Sequence, residues 1–560
     1  MNHSLWHLLP PIPDQHLVHE SGLPPLIVQL LYNRGITELT QLKSFLASDR
    51  SLSYDPFLLP DMHQAVTRIY QALLSGENIA IFGDFDADGI TATALLVQGL
   101  SALGGKISAY IPHRQNEGHG LSINALRNLS QQGISLVITV DCGITNLDEV
   151  KRARKLGLDI AITDHHTPPP EIPPALAVVD PKLARSIYPF TGFSGVGVAF
   201  KLLQAILQSI GKEEQLNKLT DLVAIGTIAD MSPLLAENRY LVKEGLKLMN
   251  DTPRLGIKEL MLQTGINPGS INADKISWTI APRLNASGRL ADALGGYRLM
   301  LTESTEEAQE LAAWLDKINS ERQSLTSTAF ARAREQVLAK GISPLLIVGD
   351  EDYHLGVAGL VASRLVEEFC RPSIVIKTGK RVSNGSCRSI SAFNIVAALT
   401  ECRELFTQFG GHSQAAGFTI PTKNLSRLEQ QLSEIAATQL DGVDLRPHID
   451  IDALVSLPEL GGDTFCLTQQ LAPFGQGNPP PTFLSRAVEV LDCRTMGNDG
   501  SHLRLKLRQN GTVWDGVGFN LGGYLPEVSS HLDIVYNLEM DSWRGNERLR
   551  LNLIDIMSSK

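Results

Sequence analysis

Between residues 78 and 180 short apolar runs alternate with longer helical stretches, and this alternation restricts the fold more than any other feature of the chain. The runs are "NIAIFGD", "KISAYIP", "SLVITVD", "LDIAITD" and "ALAVVD"; between them lie stretches such as "TATALLVQGLSALG" and "NLDEVKRARKLG". Apolar strands separated by helices predict a parallel sheet covered on both faces. In such a sheet, functional groups gather at the carboxyl edge of the strands.

Four of the five runs end there in ionisable residues. The first enters Asp84, Asp86 and Asp88 in "GDFDADGIT"; the others end at Asp141, at Asp164-His165-His166 and at Asp180. Alternate positions on an extended chain send the first three carboxylates to one side, which is costly unless a cation sits among them. Asp230 adds an acid to the apolar stretch "AIGTIADMSPL". Taken singly, each has a plainer reading: a strand-end Asp often caps a helix or turns the chain, as Asp180 before Pro181 could. Asp164 fits either an N-cap or a group that orients His165. Together, carboxylates with one or two imidazoles and no thiolate suit Mn²⁺ or Mg²⁺. Five or six ligands exceed the needs of one ion. Two ions about 3.5–4 Å apart, sharing a bridging Asp, use them all and hydrolyse phosphoesters.

The remaining chain divides into further segments. Residues 1–50 read as a small helical lead-in, 51–300 as the catalytic α/β lobe, and 301–341 as one long helix without Gly or Pro over nearly forty positions. A second α/β lobe follows over 342–445, and 446–560 is strand-rich with Gly/Asn turns, which suits a small barrel. In the barrel, "HLRLKLRQ" and "WRGNERLRLN" alternate basic with apolar residues, giving either a basic binding face or a solvated one.

No apolar run is long enough to span a membrane, and "MNHSLWHLLPPIP" reads as no secretory signal. Six dispersed cysteines without a CxxC pair suit reduced thiols. The formal charge of −11 weighs little against nucleic-acid binding, because an acidic metal site contributes to it.

The motifs "DFDADGITA", "VDCGI", "TDHH" and "GTIADMSPL", in this order and spacing, resemble those of the DHH phosphoesterase superfamily. Further segments are similar to the RecJ family of single-strand-specific 5′→3′ DNA exonucleases: "IPHRQNEGHGLS", "APRLNASGR", "HLGVAGLVASRL", "NGSCRSI", "FGGHSQAAGF" and "LAPFGQGNPPPTF". The resemblance covers about 80–485, and the C-terminal strands match that family's oligonucleotide-binding barrel. Two departures are Cys387, where the family more often has Gly, and Phe82, where related enzymes often carry a His ligand.

The resemblance implies two α/β lobes (DHH and DHH-associated) joined by a long helix, plus a C-terminal barrel. It implies Asp86 and Asp141, with Asp84, around one Mn²⁺ or Mg²⁺ ion, and Asp88, Asp141, His165 and Asp230 around a second, with His166 facing the scissile phosphate. Asp86, Asp88, Asp141, His165 and His166 would be catalytic. Arg114, Arg289, Ser386 and Arg388 would hold the 5′ phosphate, and His354 and His412 would approach the backbone from Gly-rich loops. It further implies a cytoplasmic, nucleoid-associated monomer that meets single-stranded DNA with a 5′ end, single-strand-binding protein and a RecQ-type helicase. The alternative is a DHH phosphodiesterase or pyrophosphatase acting on small nucleotides or short oligonucleotides; a third is a catalytically dead scaffold, against which the intact carboxylates and histidines speak.

Overall fold

The computed structural model describes residues 4–13, 15–114, 116–497, 499–543 and 546–559. Arg544 and Gly545 of "WRGNERLRLN", Asn498 of the 497–501 turn and Gln115 of "IPHRQNEGHGLS" lie outside them. The chain forms two compact units, one of residues 1–285, 293–312 and 448–560, the other of 286–292 and 313–447.

In the first unit the five apolar runs pair as an all-parallel sheet. Its order is Lys106–Tyr110, Asn78–Gly83, Ile134–Val140, Asp159–Thr163, Ala177–Val179. Phe82, Val137 and Ile162 are buried on one face with Leu126 and Val150 from the flanking helices. Helices Ala87–Ser101 and Gly195–Gln208 cover the sheet, and almost every residue of both is buried. All five strands run the same way, so the acids that end four of them lie along one edge.

The C-terminal strands close into a barrel. Phe483–Met496, His502–Gln509, Thr512–Gly518, Asn546–Ser558 and His531–Trp543 pair in that order, and the last returns to the first. The lead-in is more than helical: Leu5–Leu8 pairs in parallel with His448–Ile451 before helices Gln15–Ser21, Pro25–Asn33 and Leu39–Ala47. Those helices share one core with the barrel, in which Leu17, Ile27 and Leu31 pack among Leu457, Phe483 and Leu532. The buried Arg239 guanidinium fastens this core to the catalytic part by donating to the Phe45, Leu471 and Ala472 carbonyls (3.1, 2.7 and 2.8 Å).

Helix Thr305–Lys340 carries the chain into the second unit; its 36 residues give a length of about 54 Å. There a five-stranded mixed sheet runs Gln408–His412, Ala415–Pro421, Val382–Arg388, Ser373–Lys377, Leu346–Asp350. Cys387 is fully buried in this sheet opposite Ile374 and Ala416, and burial pushes its thiol up to about 12. The cysteine that departs from the family pattern is therefore a packing residue. Among the described residues no helix is long and apolar enough to cross a membrane.

Candidate active site

The loop after Asn78–Gly83 delivers three carboxylates to the sheet edge. Asp86 caps helix Ala87–Ser101: its Oδ1 accepts from the Asp88 and Gly89 amides at 3.0 and 3.1 Å. Asp88 lies in the first turn of that helix and takes the Gly195 and Val196 amides on its two oxygens (2.6 and 2.8 Å), at the start of helix Gly195–Gln208. Asp84 is buried, and its Oδ1 has no hydrogen-bond partner among the described residues.

Asp141 follows the central strand with a left-handed backbone (φ 60°), a conformation sparsely populated by non-glycine residues. A Cβ on Gly195 would stand 2.3 Å from its Cβ, so only glycine lets the two segments meet. The next strand places His165 over this group. Its Nε2 is 3.1 Å from Asp141 Oδ1 and 3.9 Å from Asp88 Oδ2, and its Nδ1 is 3.9 Å from Asp230 Oδ2. Among the described residues, buried His165 Nε2 has no hydrogen-bond partner despite this proximity.

Three groups of potential ligand atoms each fall within 4.8 Å: Asp84–Asp86–Asp141, Asp88–His165–Asp230 and Asp141–His165–His166. All six residues expected as ligands are therefore in one cluster, and Asp141 belongs to two of the groups. The electrostatics fit cations as well. Burial, then the charge of Asp84, raises the Asp86 pKa to about 6. Burial followed by neighbouring carboxylates holds Asp88 and Asp141 well above the ordinary range. Burial lowers His165 to about 4, so its imidazole is neutral, the form that ligates a metal. Orphaned buried atoms, neutral imidazole and repelling carboxylates together suit a divalent ion pair.

Asp164 orients His166 rather than His165. Its Oδ1 meets His166 Nδ1 at 2.7 Å and accepts the His165 and His166 amides, while Oδ2 accepts the Ile144 amide at 2.9 Å. Burial opposes protonation of His166, but the hydrogen bond and charge of Asp164 prevail and raise its pKa to about 9. Asp180 sits at the end of the edge strand, buried, with Oδ1 accepting the Lys182 amide and a pKa raised to about 7 by burial. It has a turn role.

Two residues here escape a reading of the sequence. His119 Nδ1 lies 3.5 Å from Asp84 Oδ2, its ring 4.4 Å from that of Phe85. Phe82, where related enzymes often carry a ligand histidine, is buried and stacked on Tyr110. Asn285 Oδ1 accepts the Ala87 amide at 2.8 Å, fixing the turn between Asp86 and Asp88. His119 and Asn285 stand inside motifs, "HRQNEGHG" and "RLNASGR", that draw the eye to their arginines. Arg114 lies 5.0 Å from the Phe85 ring centre; burial lowers its pKa against the opposing pull of Asp84 and Asp86.

The other expected contacts form a second cluster within the second unit. His354 caps helix Leu355–Phe369, Nδ1 accepting the Gly356 amide at 3.1 Å. A Cβ on Gly359 would meet Arg388 Nη2 at 3.0 Å and Ser386 Oγ at 3.2 Å, so both side chains lie over the first turns of that helix. Arg289 groups with this unit rather than with the first, and its Nη1 donates to the Gly356 carbonyl at 3.3 Å. His412 lies in register with Arg388, with Ala415 between them. Two guanidinium groups and a hydroxyl thus gather near one helix N-terminus.

Residues 78–227 match the DHH family N-terminal domain, 335–438 the DHHA1 domain and 451–555 the RecJ OB domain. The single-stranded-DNA-specific exonuclease RecJ of Bacillus subtilis (strain 168) is 38% identical over 564 residues, covering 99% of this chain and 71% of that protein. The crystal structure of RecJ from Thermus thermophilus in complex with Mn²⁺ matches with a TM-score of 0.86 at 30% identity, covering 99% of this chain and 80% of that one. The corresponding Mg²⁺ complex matches with a TM-score of 0.80 at 29% identity, covering 99% and 79%. With the three domain matches in order and this likeness along the whole chain, the protein belongs to the RecJ family.

Proposed function

We propose that this chain is a metal-dependent exonuclease that degrades single-stranded DNA from its 5′ end, in DNA repair and recombination. The observation that carries this reading is the convergence of Asp84, Asp86, Asp88, Asp141, His165 and Asp230 at one sheet edge. The OB barrel, and relatives named for this activity along the whole chain, support it.

Asp86 and Asp141, with Asp84, would hold one Mn²⁺ or Mg²⁺ ion, and Asp88, Asp141, His165 and Asp230 the other, with Asp141 shared. Bound there, the ions supply an acidified water and neutralise charge developing on the phosphate oxygens. Asp88 presents its carboxylate in one orientation because both oxygens are tied to helix amides. His166, kept protonated by Asp164, brings a positive charge to the scissile phosphate. Arg388, Ser386 and Arg289 receive the terminal phosphate, and His354 and His412 approach the following backbone. The barrel holds the distal strand.

Incubation with Mn²⁺ of a long single strand, its duplex and a dinucleotide tests the reading. We expect rapid loss of the single strand and a resistant duplex. Cleavage of the dinucleotide alone would restore the small-nucleotide phosphodiesterase reading, which the barrel and the whole-chain likeness disfavour.

Arg388→Ala should cost about tenfold more on 5′-phosphorylated than on 5′-hydroxyl strands, because a charge-assisted contact exists only with the first. Equal losses on the two substrates would place Arg388 elsewhere.

The metal-free protein should lose stability as pH rises from about 4. The unfolded carboxylates ionise there, whereas folded Asp86 holds its proton to about 6 and Asp88 and Asp141 also stay protonated well above the ordinary range. Below about pH 4 both states are protonated and the penalty vanishes. Mn²⁺ should therefore raise Tm more at about pH 8 than at about pH 5. A metal-induced Tm rise independent of pH would contradict these shifts.

On the motif resemblance, single-strand-binding protein and a RecQ-type helicase are the partners, and the cytoplasm, at the nucleoid, is the site of action. Six unpaired cysteines support a reducing compartment. Pull-down with each purified partner tests the former.

A further inference from the structure

We propose that Trp278 is a base-stacking platform for the single strand between the metal centre and the barrel; this inference rests on the exonuclease reading above. Trp278 is 80% exposed. By contrast, Trp6 donates to Asp555 Oδ2 at 2.9 Å and Trp514 to the Leu457 carbonyl at 3.2 Å. Trp278 sits on a π-helical turn, Ile276–Ile280, a geometry that recurs at functional sites. Ile276 and Ile280 are buried beneath it, where the turn packs on helix Thr220–Ala229, the helix that ends at Asp230.

The turn runs into helix Ala281–Leu290, so Trp278 and Asn285 lie seven residues apart on nearly the same face, about 10 Å along the axis. Asn285 holds the Ala87 amide between Asp86 and Asp88. On the other side of Trp278 stands Asp274. Its pKa is raised first by partial covering and then by the charge of Glu539, which lies on barrel strand His531–Trp543. One helical run thus carries a carboxyl that feels the charge of a barrel residue at one end and holds the metal loop at the other, with an indole facing solvent in between. A strand cut at the carboxylates and gripped by the barrel must cross this interval. Every base has a π face, so an indole can grip the strand without reading its sequence.

The test uses the full chain with Mn²⁺ and 5′-phosphorylated strands carrying 2-aminopurine at successive positions. Trp278→Ala and Trp278→Phe are compared, with Leu74→Ala, similarly exposed on helix Met62–Ser75, as control. Trp278→Ala should raise KM about tenfold, within the range set by one stacked base, while kcat changes far less. It should also lose 2-aminopurine quenching at one position near the 5′ end. Trp278→Phe should keep KM within about threefold of the parent, and Leu74→Ala should match it. A KM within about twofold and unchanged quenching in Trp278→Ala would overturn the proposal. If the parent protein cuts no single strand, the exonuclease reading fails instead, and quenching measured in EDTA still decides whether Trp278 meets a base.

Discussion

Asp141→Ala should lower hydrolysis of single-stranded DNA by at least about a thousandfold, because one carboxylate serves both ions. Asp141 lies within 4.8 Å of Asp84 and Asp86 in one ligand group and of His165 and His166 in another. Among the described residues no other carboxylate belongs to two of these groups, so a neighbour cannot replace it. The metal-free variant should be no less stable than the parent. The substitution takes a buried carboxyl group away from Asp88, Asp86, Asp84 and Asp230, whose repulsion opposes its ionisation after burial does. Relief of the left-handed backbone at residue 141 is not expected, since alanine tolerates that conformation no better than aspartate. Activity in Mn²⁺ and Tm in EDTA measure the two halves. Activity within about tenfold of the parent would remove the bridging role.

Lys201→Met should destabilise the protein by about 3–5 kcal/mol, the cost of leaving one partner of a buried ion pair without the other. Lys201 and Glu237 are fully buried, with Nζ 2.9 Å from Oε1. Glu237 also accepts from Ser53 Oγ, the Tyr54 amide and Tyr188 Oη, and Lys201 donates to the Tyr54 carbonyl at 2.8 Å. The pair therefore clamps the 53–54 segment to helices Gly195–Gln208 and Ala236–Asp251. Helix Gly195–Gln208 also presents the amides that hold Asp88, so loosening it reaches the active site. Urea unfolding measures the loss. A second change, Glu237→Gln, should recover part of it by removing the unpaired charge; a loss below about 1 kcal/mol in Lys201→Met alone would show that water reaches Glu237.

How much of this is legible in the sequence depends on the range of each signal. Strands such as "SLVITVD" announce themselves because a buried parallel strand is apolar at every position. Asp84, Asp86 and Asp88 are legible for a similar reason: spacing along an extended chain fixes the side on which charges meet. Leu5–Leu8 is not, because its partner His448–Ile451 lies more than four hundred positions away and four residues carry too little pattern. The shared core of the N-terminal helices and the barrel is hidden for the same reason. A truncation before residue 455 would strip apolar partners from Leu17 and Ile27, so point substitutions are the cleaner probe of the barrel.

Within the site, the motifs direct attention to arginines and pass over His119 and Asn285, whose positions depend on loops folding back. Arg289 reads as part of the catalytic lobe because it closes the motif "APRLNASGR", whereas the chain changes unit at residue 286. The exposure of Trp278 has no sequence signal at all, since an aromatic inside a helical stretch is more often core.

The central claim is stepwise hydrolysis of a single strand from its 5′ end, and the most direct measurement follows one strand labelled in turn at each end. With Mn²⁺, the 5′ label should appear at once as a mononucleotide, while the 3′-labelled strand shortens through a ladder; neither should occur on blunt duplex or in EDTA. Early release of the 3′ label, or internal fragments before any mononucleotide, would contradict the account.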